Sequence, residues 1–218
     1  MLSGVYFMNE IIPIFPLELV VFPGEALHLH IFEPRYKQLI NEIADSKDSF
    51  GIPSVVNKRM GGLGTMMDLE EISSVDENGE MDIKTRGREI FRIAEVVKLV
   101  PGKLYSGARV EITPNDLSGD DELMRQVLSG VRLMHKLLKV EKPFNKTVET
   151  LKSYDVAHHA GLSLKQEYEL LGMASENQRL EFLNRHLTQI LPTVMETESL
   201  KSKIQMNGHF KKIPGAEL

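Results

Sequence analysis

Apolar and polar positions alternate with two different periods along this chain, and the change between them divides it. Residues 11–16 are apolar and bracketed by Pro13 and Pro16, which predicts a short edge strand. A turn around Pro23-Gly24 follows. From Ala26 to Phe32 the alternation is strict, with Leu27, Leu29 and Ile31 on one face and His28 and His30 on the other. The period then becomes helical: Pro34 suits the first helical position, and Tyr36, Leu39, Ile40 and Ile43 form one stripe. "IFEPRY" (residues 31–36) is therefore the joint between a strand and a helix, with Glu33 near the positive helix end.

Strand patterns return in "FGIPSVV", in "TMMDLEEISSV" and in "EMDIKTRG", the last two flanking an Asp76-Glu77-Asn78-Gly79 turn. "REIFRIAEVVKLV" predicts a further strand closed by Pro101-Gly102, and Leu104 to Ile112 another. Short strands with turn signals at this spacing predict a small barrel or sandwich. Helical periodicity takes over after "TPNDLSGDDE", with a stripe of Leu123, Val127, Val131, Met134 and Leu138. A second helix is expected over about 145–159. Ser163 with Gln166, and Ser175 with Gln178, match the capping-box pattern. Leu180, Leu183, Leu187 and Leu191 then share a face up to Pro192, which is expected to end or kink the helix. The pattern assigns residues 1–115 to a β-rich subdomain, 116–192 to a helical bundle and 193–218 to a polar helix or tail.

Charge refines this picture. The net charge of −5 comes from residues 1–115, with 12 Lys/Arg against 17 Asp/Glu; residues 116–218 carry 14 of each. An acidic β-rich half repels phosphate backbones, which argues against general nucleic-acid binding. The chain has no cysteine, so disulfides, thiolate nucleophiles and Cys-based zinc sites are excluded together. No apolar run reaches the roughly 20 residues of a membrane helix, and "MLSGVYFMNEIIPIF" lacks the layout of a signal peptide. Cytoplasmic location is the resulting expectation, with residues 1–7 read as an extension ahead of Met8.

Candidate chemistry is sparse. "GGLGTMMD" (61–68) has the glycines of a phosphate loop without its lysine, and reads as a flexible connection between strands. No Gly-x-Ser-x-Gly elbow occurs. His28 and His30 lie on one strand face about 7 Å apart, a weak candidate metal pair with Glu33 as the nearest third ligand. His158 and His159 point to different sides of a helix. Glu70-Glu71 reads as a solvated strand face, and Asp120-Asp121-Glu122 as a helix N-terminus. Met60, Met66 and Met67 are the candidates for an adaptable apolar binding surface, with ordinary core filling as the alternative.

These residues resemble a family. "IPIFPLELVVFPGEALHLHIFEPRYKQLI", "IKTRGREIFRI" and "GLSLKQEYELLGMASENQRLEFLNRHL" are similar to the N-terminal substrate-recognition domain of Lon-type ATP-dependent proteases, over about residues 11–191. The resemblance implies an α+β fold, a PUA-like β pseudo-barrel followed by a C-terminal helical bundle. It is to the stand-alone members, since no ATPase or Ser-Lys peptidase motif occurs in these 218 residues. What it implies is a non-catalytic, proteolysis-related module that binds exposed apolar segments of unfolded or tagged proteins. Met60, Met66, Met67 and Tyr36 are the candidate contact residues. A separate protease or chaperone is a further expected partner, self-association stays open, and no cofactor is expected. A small metal-dependent enzyme using His28 and His30, and an RNA-binding PUA-like domain, are the alternatives.

Overall fold

The computed structural model describes residues 6–7, 10–140, 144 and 146–209, with the backbone alone at 6–7, 202 and 205–209. Apart from Tyr6 and Phe7, the segment read as an extension lies outside the described residues, as do residues 210–218. By its contacts the chain divides into two units, Met1–Ser118 with Leu162–Gln178, and Gly119–Gly161 with Arg179–Leu218. The expected boundary at 115/116 therefore has a correction: residues 162–178, assigned by periodicity to the bundle, belong with the barrel.

The first unit is built on one mixed sheet. Its strands are β1 (Tyr6–Phe7), β2 (Ile12–Ile14), β3 (Ala26–Ile31), β4 (Phe50–Val56), β5 (Arg59–Val75), β6 (Met81–Val97) and β7 (Ser106–Ile112), in the order β1-β7-β2-β4-β5-β6-β3. Because β7 also pairs with β6, strands β2, β4, β5, β6 and β7 close into a ring, the pseudo-barrel. Among the described strands, β2 and β4 pair in parallel, through Ile14 and Gly51, and the others pair antiparallel. The barrel holds Ile12, Ile14, Met66, Phe91, Val110 and Ile112. Beyond the ring, β5 and β6 continue as a hairpin, and β3 pairs with β6 to make a three-stranded arm. Helix α1 (Pro34–Ser46) packs with that arm, burying Tyr36, Leu39, Ile40 and Ile43 in a cluster with Ile31, Met81 and Ile83.

Two long strands replace the shorter ones expected. "EMDIKTRG" and "REIFRIAEVV" are one strand, β6, which passes the Phe22 carbonyl at Gly87 so closely that any Cβ there would collide with it. The glycines of "GGLG" are no flexible connection but part of β5. A Cβ at Gly64 would stand 2.5 Å from the Ile52 carbonyl and the Phe91 ring, so glycine permits the ring to close there. The β4–β5 turn is Asn57-Lys58, both left-handed (φ 52° and 61°), the backbone of a tight hairpin turn that Lys rarely advertises. Asp76–Gly79 turns as expected, with Gly79 at φ 71°. Helix α4, numbered in chain order, spans Leu164–Leu171 and carries the Ser163–Gln166 capping box; its Tyr168 hydroxyl accepts the Leu63 N–H at 3.0 Å.

The second unit is helical. Helix α2 (Asp121–Leu138) is capped by Asp120, whose carboxylate accepts from the Glu122 and Leu123 amides, and buries Met124, Val127, Leu128, Val131 and Met134. The core face is thus rotated from the expected stripe at both ends: Leu123 is half-buried and Leu138 exposed. The helix expected over 145–159 is only α3 (Ser153–Ala157), because Thr147 closes a turn with Leu151 and Asp155 caps the Lys152 amide. Helix α5 (Glu176–His209), whose first residues fall in the first unit, buries Leu180, Leu183 and Leu187. It runs through Pro192 and takes in most of the expected tail. Pro192 and Thr188 are both exposed, so water can meet the carbonyl that the proline leaves without a partner. Arg179 is fully buried, donates to the Ser153 hydroxyl at 2.9 Å and lies over the Tyr154 ring.

Candidate functional site

The arm and α1 leave a cleft along β5. Helix α1 stops at Lys47, whose left-handed conformation (φ 59°) lets its N–H return to the Ile43 carbonyl at 2.8 Å. The chain then turns through Asp48 and Ser49 into β4. Opposite, β5 emerges from the barrel at Asp68. Between them lies a cleft of about 380 Å³, within the range of roughly 300–1,000 Å³ usual for ligand sites. Ile43, Ala44, Leu69 and Ile72 supply its apolar lining; Lys47, Asp48, Asp68, Glu70 and Glu71 supply charge.

Those β5 charges are held in a ladder by β6. Arg88 reaches Asp68 at 3.3 Å, Arg86 donates to both oxygens of Glu70, and Lys84 meets Glu71 at 2.7 Å. The Lys84 hydrogen bond holds the Glu71 carboxyl below its ordinary range. Ser49 also donates to Asp68 at 2.6 Å, tying the chain after α1 to the rim. The cleft offers carboxylates, the Lys47 ammonium and apolar carbon.

The expected contact residues are distributed otherwise. Met66 and Met67 are 1% and 0% exposed, and Tyr36 is 6% exposed. Neighbours on a strand face opposite ways, and here both faces are covered: Met66 enters the barrel cluster and Met67 the cluster with α1. Tyr36 stacks on Phe15 with ring centres 3.7 Å apart, under the Arg35 guanidinium. These three hold the fold together and offer no surface. Met60 is the exception, exposed near the start of β5. Leu69 and Ile72, half-buried on β5, line the cleft instead.

His28 and His30 do lie on one face of β3, exposed, with Lys84 and Asp82 as their cross-strand partners. They do not converge on a metal. Asp82 engages His30 Nδ1 at 2.9 Å and Glu80 lies 3.3 Å from its Nε2, while Glu33 is taken by Arg35 at 2.7 Å. Among the described residues no group of three His, Cys, Asp or Glu side chains is placed to hold a metal ion. The Asp82 hydrogen bond, aided by Glu80, raises the His30 pKa.

Comparison with known proteins decides the family. The ATP-dependent protease La (LON) substrate-binding domain matches residues 11–189. The chain belongs to that family. Its fold is similar to that of a Lon N-terminal domain protein from Xanthomonas campestris, with a TM-score of 0.58 at 22% identity, covering 80% of this chain and 96% of the other. It is similar also to the N-terminal domain of the Mycobacterium avium complex Lon protease, with a TM-score of 0.59 at 16% identity, covering 82% and 98% respectively. No curated protein matches the chain. The α+β arrangement expected from the sequence, barrel first and helices after, is that of this Lon family. No helix among the described residues is long and apolar enough to cross a membrane.

Sequence reading passed over the cleft because none of its residues is unusual. Leu69 and Ile72 are half-buried beside charged neighbours, three residues apart across an irregularity in the pairing, and β4 accompanies their strand only as far as Met67.

Proposed function

We propose that this chain is a protein-binding module that holds exposed apolar segments of unfolded or tagged proteins in the cleft beside β5, without making or breaking covalent bonds. Membership of a substrate-binding family over residues 11–189 is the observation that carries this reading. The cleft supports it with a lining of Ile43, Ala44, Leu69 and Ile72. In this reading the client is delivered to, or shared with, a separate protease or chaperone in the cytoplasm.

Titration of fluorescein-labelled casein, a natively unfolded client, tests the proposal by anisotropy. Saturable binding at tens of micromolar or tighter is expected, weakened by Leu69→Asp. Absence of binding at that concentration overturns it. Met66→Asp and Met67→Asp are unsuitable probes, since a carboxylate at either place would be buried without a partner and would unfold the barrel.

A further inference from the structure

We propose that the cleft takes its client as an added β-strand: an extended segment, apolar at alternate residues and basic between them, pairing with the free margin of β5 from Asp68 to Val75. This rests on the protein-binding reading above and specifies the conformation and chemistry of the segment.

The backbone is the first ground. β4 accompanies β5 only as far as the pair Phe50–Met67, whereas β6 accompanies it through Val75–Met81. Beyond Met67 the side of β5 away from β6 has no strand beside it among the described residues. Its amide and carbonyl groups there recognise another extended backbone, whatever the side chains. Natural margins of this kind are commonly blunted by bulges, and β5 has irregular pairing at Leu69/Glu71 and Ile72/Ser74. Those irregularities limit the added strand to a short one.

The position of the cleft is the second ground. It runs along this margin, not elsewhere on the arm. A strand laid against β5 would continue the sheet beside α1, and side chains on its inner face would meet Ile43, Ala44, Leu69 and Ile72. The opposite margin of the arm, β3, borders a hollow where Leu29 and Ile83 lie among His28, His30, Ser73, Asp82 and Lys84, a smaller apolar seat than the four apolar residues beside β5.

Charge is the third. Residues on the outer face of the added strand would stand beside Asp68, Glu70 and Glu71. Each of these carboxylates is bonded to β6 from one side, and each has lone pairs left for a second cation. Opposite charges across neighbouring strands stabilise and like charges destabilise, so Lys or Arg is accepted there and Asp or Glu refused.

Three labelled peptides test this beside casein: acetyl-KVKIKVKIK-amide, the same side chains on an N-methylated backbone, and acetyl-EVEIEVEIE-amide. The first is expected to bind at least tenfold more tightly than either of the others, and to slow amide hydrogen exchange between Asp68 and Val75. Ala44→Trp, at an exposed position on α1, is expected to fill the cleft and weaken binding at least fivefold with an unchanged thermal midpoint. Equal binding of the N-methylated peptide, or unchanged exchange along β5 with the first peptide bound, overturns strand addition. If casein still binds, the protein-binding reading survives that result. Equal binding of the acidic peptide overturns the basic character of the segment. Failure of both casein and the first peptide to bind overturns both proposals.

Discussion

Strands β5 and β6 lead two lives. Below Asp68, β5 has β4 on one side and β6 on the other, and the ring leaves no margin. There the glycines admit a neighbouring backbone, and Phe91 is wholly buried in the middle. Above it the same two strands project as an arm, half-covered by α1, with charged pairs on one face and an unaccompanied margin. A closed sheet gains stability by satisfying every backbone group, and in doing so it loses the means to recognise another chain. On the arm, β5 beyond Met67 has no strand on its side away from β6 among the described residues, and the proposed strand addition uses that margin. In the proposed reading the two tasks are separated along one pair of strands.

The strongest way to break this contrast is to attack the closed end. Phe91→Ala removes a ring from the barrel and is expected to cost about 3–5 kcal/mol in urea unfolding. Gly64→Ala should cost about 1–3 kcal/mol, because the new methyl must displace the Ile52 carbonyl or the Phe91 ring. Gly62→Ala, two residues away with nothing within 4 Å of the added carbon, should change stability by less than about 0.5 kcal/mol. Equal losses at the two glycines would show that closure is not what constrains β5.

On the arm the expected order of effects reverses. Ile72→Ala, at a half-buried place, should lower stability by only about 1 kcal/mol while weakening client binding more than any barrel substitution that leaves the fold intact. Anisotropy and urea unfolding on the same samples would show it. A larger loss of stability than of affinity would remove Ile72 from the binding surface.

The smallest effects concern pH. Glu42 is held below its ordinary range by hydrogen bonds first from Lys103 and then from Tyr105, so its contribution is present above about pH 4.5 and is lost as pH falls through the lowered value. Asp82 on the arm behaves in the same direction, through Ser74 and His30. His30 runs the other way: its raised pKa gives a contribution that is full below pH 6.5 and fades as pH rises through the folded value. His30→Gln should therefore flatten the alkaline side of the stability profile and leave the acid side to Glu42 and to Asp82 through Ser74. An unchanged alkaline side would show that the Asp82 and Glu80 contacts contribute nothing in solution.

Much of this was legible in the order of residues, because local chemistry decided it. Pro34 opened α1 where its missing N–H is harmless, and the stripe from Tyr36 to Ile43 is the buried face. Ser163 and Gln166 cap α4 as their spacing requires. The family, too, was visible in motifs that extend over most of the chain.

What the order of residues could not contain is who stands beside whom. Met66 and Met67 look alike in sequence, yet they enter different cores because a strand covered on both faces has no outside. Leu69 and Ile72 look like any half-buried strand, and lie on a free margin only because β4 accompanies β5 no further than Met67. Periodicity is a property of a segment and is set by its own torsions and side chains. A free margin is a property of a sheet, set by pairings between residues far apart in the chain, and only the folded molecule determines it.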